Sequence, residues 1–95
     1  MLDRMTAELS NARKRLLYRA MHRGFKEADI VIGKFAEAHL AGFTSDEEAE
    51  FTRLLEVPDQ DLYAWIIRRE DVPPNFDGPL LAKMQAFDVA AVMPR

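Results

Sequence analysis

Apolar side chains recur at steps of three and four residues along almost the whole chain, which is the spacing of α-helices. The first predicted helix carries its apolar stripe at Leu2, Met5, Leu9, Ala12, Leu16 and Ala20. A second helix is predicted from Phe25 to Ala41, because Gly24 and Gly42 flank it and glycine commonly ends helices. No segment alternates between apolar and polar residues as a strand would.

The second half of the chain predicts three further helices. Ser45 and Glu48 fit a capping box, in which the serine caps a helix and the glutamate bonds back to it, so a third helix begins there. Asp59 is a suitable N-cap for a fourth helix, which is apolar on most sides and therefore central to the core. A proline-rich loop from Glu70 to Pro79 leads into a short fifth helix that ends near Phe87.

These elements predict an all-α fold, a compact bundle of five short helices in a single domain over residues 1–95. We expect the core over about residues 6–87 and a frayed end over 88–95, where neither a cap nor a strong period is present. A chain of 95 residues is near the lower end of what one hydrophobic core supports.

Charge is divided unevenly along the chain, whose net charge is −3. Residues 1–26 carry seven basic and two acidic side chains, whereas residues 27–95 carry six basic and 14 acidic ones. Arg15, Arg19 and Arg23 recur every four residues, so a continuous helix would place them in one basic ridge. Because like charges at this spacing repel by about 0.2–0.5 kcal/mol per pair, the ridge predicts contact with an anionic partner.

Several function classes lack their sequence signatures. The chain has no cysteine, which excludes disulfides, thiolate nucleophiles and cysteine metal sites. His22 and His39 lack the spacing of metal ligands, and we expect His39 to be a half-buried core residue. Neither a glycine-rich phosphate loop nor a nucleophile elbow is present, so we expect neither an enzyme nor a tightly bound cofactor. No apolar run approaches the roughly 20 residues of a membrane span.

The basic beginning is also typical of mitochondrial presequences, which are rich in arginine and poor in acids. Asp3 and Glu8 interrupt that pattern, and it continues directly into the predicted bundle. We therefore expect no cleavable leader. The absence of cysteine fits a reducing compartment.

The junction from His22 to Asp29 has two interpretations. In the first, Gly24 lets two helices meet at a tight angle, and Arg23 pairs with Glu27 across the turn. In the second, Arg23 and Glu27 both project from a convex corner and present a guanidinium fork beside a carboxylate. Arginine binds carboxylates through two parallel hydrogen bonds, which lysine does not, so the corner is a candidate docking surface.

Three segments of the chain resemble one family. They are the run Arg-Lys-Arg-Leu-Leu-Tyr-Arg at 13–19, the motif Arg-Gly-x-x-Glu-x-Asp at 23–29, and the run from Leu54 to Trp65. Together they are similar to the FAD assembly (flavinylation) factors of succinate dehydrogenase, over about residues 12–87. The resemblance implies a small helical protein that binds the flavoprotein subunit of succinate dehydrogenase and, in some bacteria, that of fumarate reductase. It further implies that the protein promotes covalent attachment of FAD to that subunit, so that the flavin belongs to the partner.

The resemblance, together with the basic ridge, also identifies candidate site residues. The expected partner-binding residues are Arg15, Arg19, Arg23, Gly24, Glu27 and Asp29. Phe25 stands where a methionine is common in the family, and this apolar replacement leaves the motif's role intact. No catalytic residue, cofactor ligand or metal ligand is expected, and the resemblance implies the bacterial cytoplasm without membrane insertion.

Two other function classes remain open. A nucleic-acid-binding or antitoxin-like regulatory protein would use the basic first helix as a surface that contacts phosphates. The acidic remainder of the chain and a pI near 5.3 weigh against it. An enzyme or an independent FAD carrier lacks every motif described above, and flavin absorbance of the purified protein would distinguish it from a flavin-free assembly factor.

Overall fold

Residues 10–87, the part of the chain that the computed structural model describes, form five α-helices, and no strand occurs among them. The helices are α1 (Asn11–Met21), α2 (Lys26–His39), α3 (Ser45–Leu55), α4 (Asp59–Ile66) and α5 (Pro79–Ala86). Two 3₁₀ turns lie between helices, at Leu40–Gly42 and Pro74–Phe76. The predicted all-α fold of five helices is confirmed. The apolar positions 2, 5 and 9 and the predicted frayed end at 88–95 lie outside the described residues.

The start of α1 differs from the uninterrupted apolar stripe that the spacing predicted. Ser10 has extended backbone, and its hydroxyl accepts a hydrogen bond of 3.1 Å from the backbone N–H of Arg13. Ser10 is therefore the N-cap, and Ala12, which the stripe placed on the apolar face, is exposed. The cap, rather than the spacing of apolar residues, sets where α1 begins. The Ser10 hydroxyl satisfies the Arg13 N–H, which has no partner within the helix.

The start of α3 lies one residue before the predicted position. The N-cap is Thr44, whose hydroxyl accepts a bond of 3.1 Å from the Glu47 N–H, while the Glu47 carboxylate accepts one of 2.9 Å from the Thr44 N–H. The prediction of Ser45 and Glu48 as the box is wrong, although that pair has the same spacing. Glu48 does not form the box because its carboxylate lies 2.7 Å from Nε of Arg13.

The start of α4 also differs from the prediction. Pro58 is the N-cap and Asp59 is the first helical residue, so the prediction of Asp59 as the cap is wrong. The Asp59 carboxylate instead approaches Arg23, with 2.8 Å between Oδ1 and Nε. Asp59 and Asp61 still place negative charge in the first turn, where the helix dipole favours it.

The core lies around α2, which contacts α1 on one side and α4 on another. The buried residues of α2 are Ala28, Val31, Ile32, Gly33, Phe35 and Ala36. The ring of Phe35 lies 6.3 Å from that of Phe43 and 6.4 Å from that of Phe51, so one aromatic cluster joins α2 to α3. Leu62, Ala64, Trp65 and Ile66 of α4 are buried, so this helix contributes to the core, but the prediction that it is central is wrong, because α2 holds that position. The prediction of a half-buried His39 is wrong, because this last residue of α2 is exposed.

Charged side chains of one helix cap the ends of another. The Glu50 carboxylate of α3 accepts hydrogen bonds of 3.1 Å from the backbone N–H groups of Leu80 and Leu81 at the start of α5. Arg13 of α1 donates to carbonyl oxygens that follow α2, those of Leu40, Ala41 and Phe43. Each charge therefore meets backbone groups at the helix end whose dipole attracts it.

Candidate functional site

The corner between α1 and α2 is built around Gly24. Its φ is +131°, a backbone conformation that glycine adopts readily and other residues rarely do. A Cβ added at this position would lie 2.6 Å from Oδ2 of Asp59. The Asp29 carboxylate accepts hydrogen bonds from the backbone N–H of Arg23 and, at 3.3 Å, from that of Gly24. The predicted glycine turn is confirmed, and Asp29 holds it closed.

Arg23 points into the molecule rather than away from the corner. Only 7% of its side chain is exposed. Its Nη1 donates to the Leu55 carbonyl at 2.6 Å and its Nη2 to the Val57 carbonyl at 2.7 Å. Its Nε lies 2.8 Å from Oδ1 of Asp59 in an ion pair. The guanidinium therefore binds the chain between α3 and α4, and the predicted pairing or joint projection of Arg23 with Glu27 is wrong in geometry.

The predicted basic ridge does not form as one surface. Since α1 ends at Met21, the helical period no longer places Arg23 above Arg19. Arg19 is partly exposed and pairs with Glu56, 2.8 Å from Nη2 to Oε2. Arg15 is exposed and makes no ion pair within residues 10–87. The three arginines thus range from buried and bonded to open to solvent.

Glu27 is the motif residue that the fold leaves accessible. It lies in the first turn of α2, it is exposed, and it makes no ion pair with another residue of the described part of the chain. The helix dipole favours its negative charge there. A carboxylate held on a rigid first turn is a suitable acceptor for donors of another protein.

An open groove of about 980 Å³ runs beside the corner. Gly24 and Glu27 line one side, α4 lines the other, and the segment after α4 contributes Arg69. Half-buried Phe25 and Tyr63 also line the groove, their rings meeting edge to face with centroids 5.3 Å apart. Aromatic side chains are enriched at the centre of protein interfaces, and polar side chains form their rim.

The structure therefore divides the six predicted site residues by what their side chains do. Arg23, Gly24 and Asp29 hold the corner together, Arg19 pairs with Glu56, and Glu27 and Arg15 face outward. Residue spacing did not identify Asp59 as the partner of Arg23, because 36 positions separate them in the chain. It also gave no role to Tyr18, although this aromatic side chain follows Arg15 by three positions and so lies on the polar face of α1.

Neither a cluster of metal ligands nor a membrane-spanning helix occurs within residues 10–87. Among residues 10–87, no group of three or more histidine or acidic side chains lies together as metal ligands would. Over the same residues no helix has both the length and the apolar character needed to cross a membrane, since the longest, α2, has 14 residues.

Comparison with known proteins places the chain in a family. Residues 14–88 match the Sdh5 family, described as "Flavinator of succinate dehydrogenase". The chain is 33% identical over 79 residues to succinate dehydrogenase assembly factor 2, mitochondrial, of Dictyostelium discoideum, an alignment that covers 83% of this chain and 56% of the relative. It is 40% identical over 76 residues to the FAD assembly factor SdhE of Acetobacter pasteurianus, covering 80% and 70%.

A third relative has the same name as the first. Succinate dehydrogenase assembly factor 2 of Cryptococcus neoformans is 35% identical over 85 residues, which is 88% of this chain and 49% of the relative. The chain thus spans about half the length of these mitochondrial relatives. No solved structure matches it. The matched region begins before the Gly24 corner and extends past α5, so the chain belongs to the Sdh5 family of succinate dehydrogenase flavinators.

Proposed function

We propose that this protein is an assembly factor that binds the flavoprotein subunit of succinate dehydrogenase and promotes covalent attachment of FAD to it. The observation that carries the proposal is the geometry of the Arg-Gly-x-x-Glu motif. Arg23 and Gly24 build a rigid corner, and Glu27 stands exposed on it beside an open groove. The names of the family and of its relatives supply the class of client.

A protein that only binds can accelerate such a reaction. Flavin attachment needs a histidine of the client and its flavin to be aligned, and a helper that binds the aligned conformer better than others raises the population of that conformer. The acceleration is limited by the difference between the helper's affinities for the two conformers. The bonds are formed within the client, so the helper itself needs neither a catalytic residue nor a tightly bound flavin.

The corner suits a partner that must leave after the reaction. Its exposed groups are mostly charged, with Phe25 and Tyr63 half-buried between them. Interfaces of moderate size with a polar rim bind reversibly, whereas large apolar ones are typical of permanent complexes. In this proposal Glu27 contacts the client, while Arg23, Gly24 and Asp29 keep Glu27 in place.

Deletion of the gene tests the function directly. We expect the flavoprotein subunit of succinate dehydrogenase to lose most of its covalent flavin, measured as in-gel fluorescence of the denatured subunit. Expression of the wild-type chain should restore the fluorescent band. An undiminished band in the deletion strain would overturn the proposal. The same gel reports on fumarate reductase where the organism has one, and loss of its flavin would extend the range of clients.

Glu27→Ala tests whether the corner contacts the client, and it leaves Arg23, Gly24 and Asp29, which hold the corner, unchanged. Because Glu27 is exposed and makes no ion pair within residues 10–87, we expect only the small loss of stability that its charge near the helix N-terminus contributes, and weaker co-purification with the flavoprotein subunit. Glu37→Ala is the matched control, since it removes the same charge ten residues along α2, where Glu37 pairs with Lys34 at 3.5 Å. Equal co-purification of wild type, Glu27→Ala and Glu37→Ala would exclude Glu27 as a contact.

A further inference from the structure

The outward face of α1 carries an exposed aromatic stack. Among residues 10–87, Tyr18 is the large hydrophobic side chain that stands open to solvent, with 65% of its surface exposed. Its ring stacks on that of His22, with centroids 4.1 Å apart and planes inclined by 21°. Nδ1 of His22 lies 2.8 Å from the Tyr18 carbonyl oxygen, which holds the imidazole over the ring. The stack is therefore ordered before any partner arrives.

Basic side chains flank this stack. α1 contains no acidic residue, in a chain that has 16 of them. Arg13 and Arg19 are paired with Glu48 and Glu56, but Arg15 has no such partner within residues 10–87 and is exposed. Arg15, Tyr18 and His22 follow each other at steps of three and four, so they share one face over about 10 Å of helix.

We infer that Arg15, Tyr18 and His22 form a second docking surface, which binds an acidic segment of the client flavoprotein. This inference rests on the proposed function and adds a surface that the Arg-Gly-x-x-Glu motif does not include. The Arg15 fork binds a carboxylate of the segment through two hydrogen bonds. The Tyr18 ring packs against the aliphatic part of the same segment. Tyrosine and arginine are the residue types most enriched among the side chains that dominate binding energy.

The charge of the surface favours an acidic protein segment over a nucleic acid. Proteins that bind single strands align several aromatic platforms with a continuous basic groove. This face has one aromatic stack, and two of the four basic side chains of α1 are already paired with acids. The net charge of the whole chain is −3, and it repels a polyphosphate backbone with many charges more strongly than a segment with one or two carboxylates. One or two carboxylates match the cations that remain.

Binding measurements on four variants test the surface. The purified flavoprotein subunit is immobilised, and the full-length chain is titrated over it by biolayer interferometry. We expect Tyr18→Ala and Arg15→Glu each to raise Kd by about tenfold or more, as residues at the centre of an interface do. Tyr18→Phe keeps the ring and should stay within about twofold of wild type. Lys34→Glu makes the same charge change on α2 and should also stay within about twofold.

Folding is checked separately, so that a loss of binding is attributable to the surface. Tyr18 and Arg15 are exposed, and their variants should melt within about 2 °C of wild type. If Arg15→Glu melts lower, Arg15→Gln takes its place, because it removes the charge without reversing it. A tenfold loss in a variant that keeps its melting temperature supports the surface.

The contradicting outcomes separate this inference from the proposed function. If wild type binds and the Tyr18 and Arg15 variants bind equally well, the second surface is overturned and the corner remains. If Lys34→Glu weakens binding as much as Arg15→Glu, the effect is one of overall charge, and the surface is overturned. If wild type does not bind the subunit, both proposals fail. If wild type instead binds a fluorescent single-stranded oligonucleotide and Arg15→Glu abolishes that binding, α1 is a nucleic-acid surface and the inference is wrong.

Discussion

Arg23 and Arg15 are the same residue type on one short stretch of chain, yet the fold uses them in opposite ways. Arg23 is 7% exposed, and its guanidinium bonds two carbonyl oxygens and pairs with Asp59. Arg15 is exposed, and within residues 10–87 no acid pairs with it. The basic residues in the first part of the chain are therefore of two kinds. One is structural and directed inward, and the other is open for binding.

The small size of the bundle explains why arginines such as Arg23 point inward. Short helices joined by short connections leave many carbonyl oxygens at helix ends without a partner. Arg13 lies in the first turn of α1 and Arg23 two residues after its end. Each reaches carbonyls at the end of another helix, Arg13 those that follow α2 and Arg23 those of Leu55 and Val57 at the end of α3. Arginine suits this position because it has five donors in a planar fork and stays charged when buried.

Gly24→Arg tests the turn that precedes α2 and that brings Arg23 inward. We expect it to have the largest effect on stability of all the variants proposed. The positive φ disfavours any side chain, and a Cβ would lie 2.6 Å from the Asp59 carboxylate. We expect a loss of unfolding free energy above about 3 kcal/mol by urea denaturation, because strained backbone and a displaced ion pair add together. Flavinylation of the client should be abolished in cells.

Gly24→Ala is the control for the long side chain. It keeps the backbone strain and the Cβ contact with Asp59 but adds no further atoms, so we expect a smaller loss of about 2 kcal/mol. Wild-type flavinylation by the arginine variant would show that the corner is not the working surface.

Arg23→Ala compared with Arg15→Ala measures the difference between the two arginines directly. Removal of Arg23 leaves the carbonyls of Leu55 and Val57 without their donor and Asp59 without its ion-pair partner, so we expect about 3 kcal/mol less stability. Arg15→Ala should lie within about 0.5 kcal/mol of wild type, as exposed substitutions do. Urea denaturation of both variants gives the two values. If they agree within error, Arg23 does not hold the corner and the division between inward and outward arginines is wrong.

Residue spacing was sufficient to predict the fold because helices and their buried faces depend on neighbours three and four positions away. The five helices and the Gly24 turn follow from such local patterns. The helix starts were less predictable where two residues competed for one cap. Thr44 and Ser45 both precede a glutamate by three positions, and the choice between them depends on Arg13, which binds Glu48 from another helix.

The site was less predictable than the fold because its contacts are long-range. Arg23 binds carbonyls 32 and 34 positions away, and periodicity carries no information about such pairs. The motif identified the corner correctly, yet it did not distinguish Glu27, which faces solvent, from Arg23, which does not. An exposed aromatic on a basic helix face, such as Tyr18, is a signal that spacing alone does contain.

Arg19→Ala tests an arginine whose exposure lies between those of Arg23 and Arg15. Arg19 is partly exposed at 40% and pairs with Glu56, which is 68% exposed. Solvent screens such a pair, so we expect a loss below about 1 kcal/mol in urea denaturation, well short of the Arg23 value. Glu56→Ala should give a similar small loss, and the double variant should lose less than the sum of the two. A loss near that of Arg23→Ala would show that burial does not set the order of these arginines.

The smallest predicted effect concerns an exposed pair far from the corner in sequence. The hydrogen bond from Lys83 and, after it, the bond from the Thr44 backbone lower the pKa of the Glu47 carboxyl. A carboxyl with a lowered pKa stabilises the fold above its ordinary pKa, and that contribution is lost as pH falls towards the lowered value.

Lys83→Met should therefore reduce stability slightly at neutral pH and flatten the fall of melting temperature below about pH 5. Lys34→Met is the control, because it removes the same charge from a longer contact of 3.5 Å with Glu37. Melting curves at pH 7 and at several acidic values measure both variants. If the acid dependence of Lys83→Met matches wild type, the bond from Lys83 contributes nothing measurable to the stability of this fold.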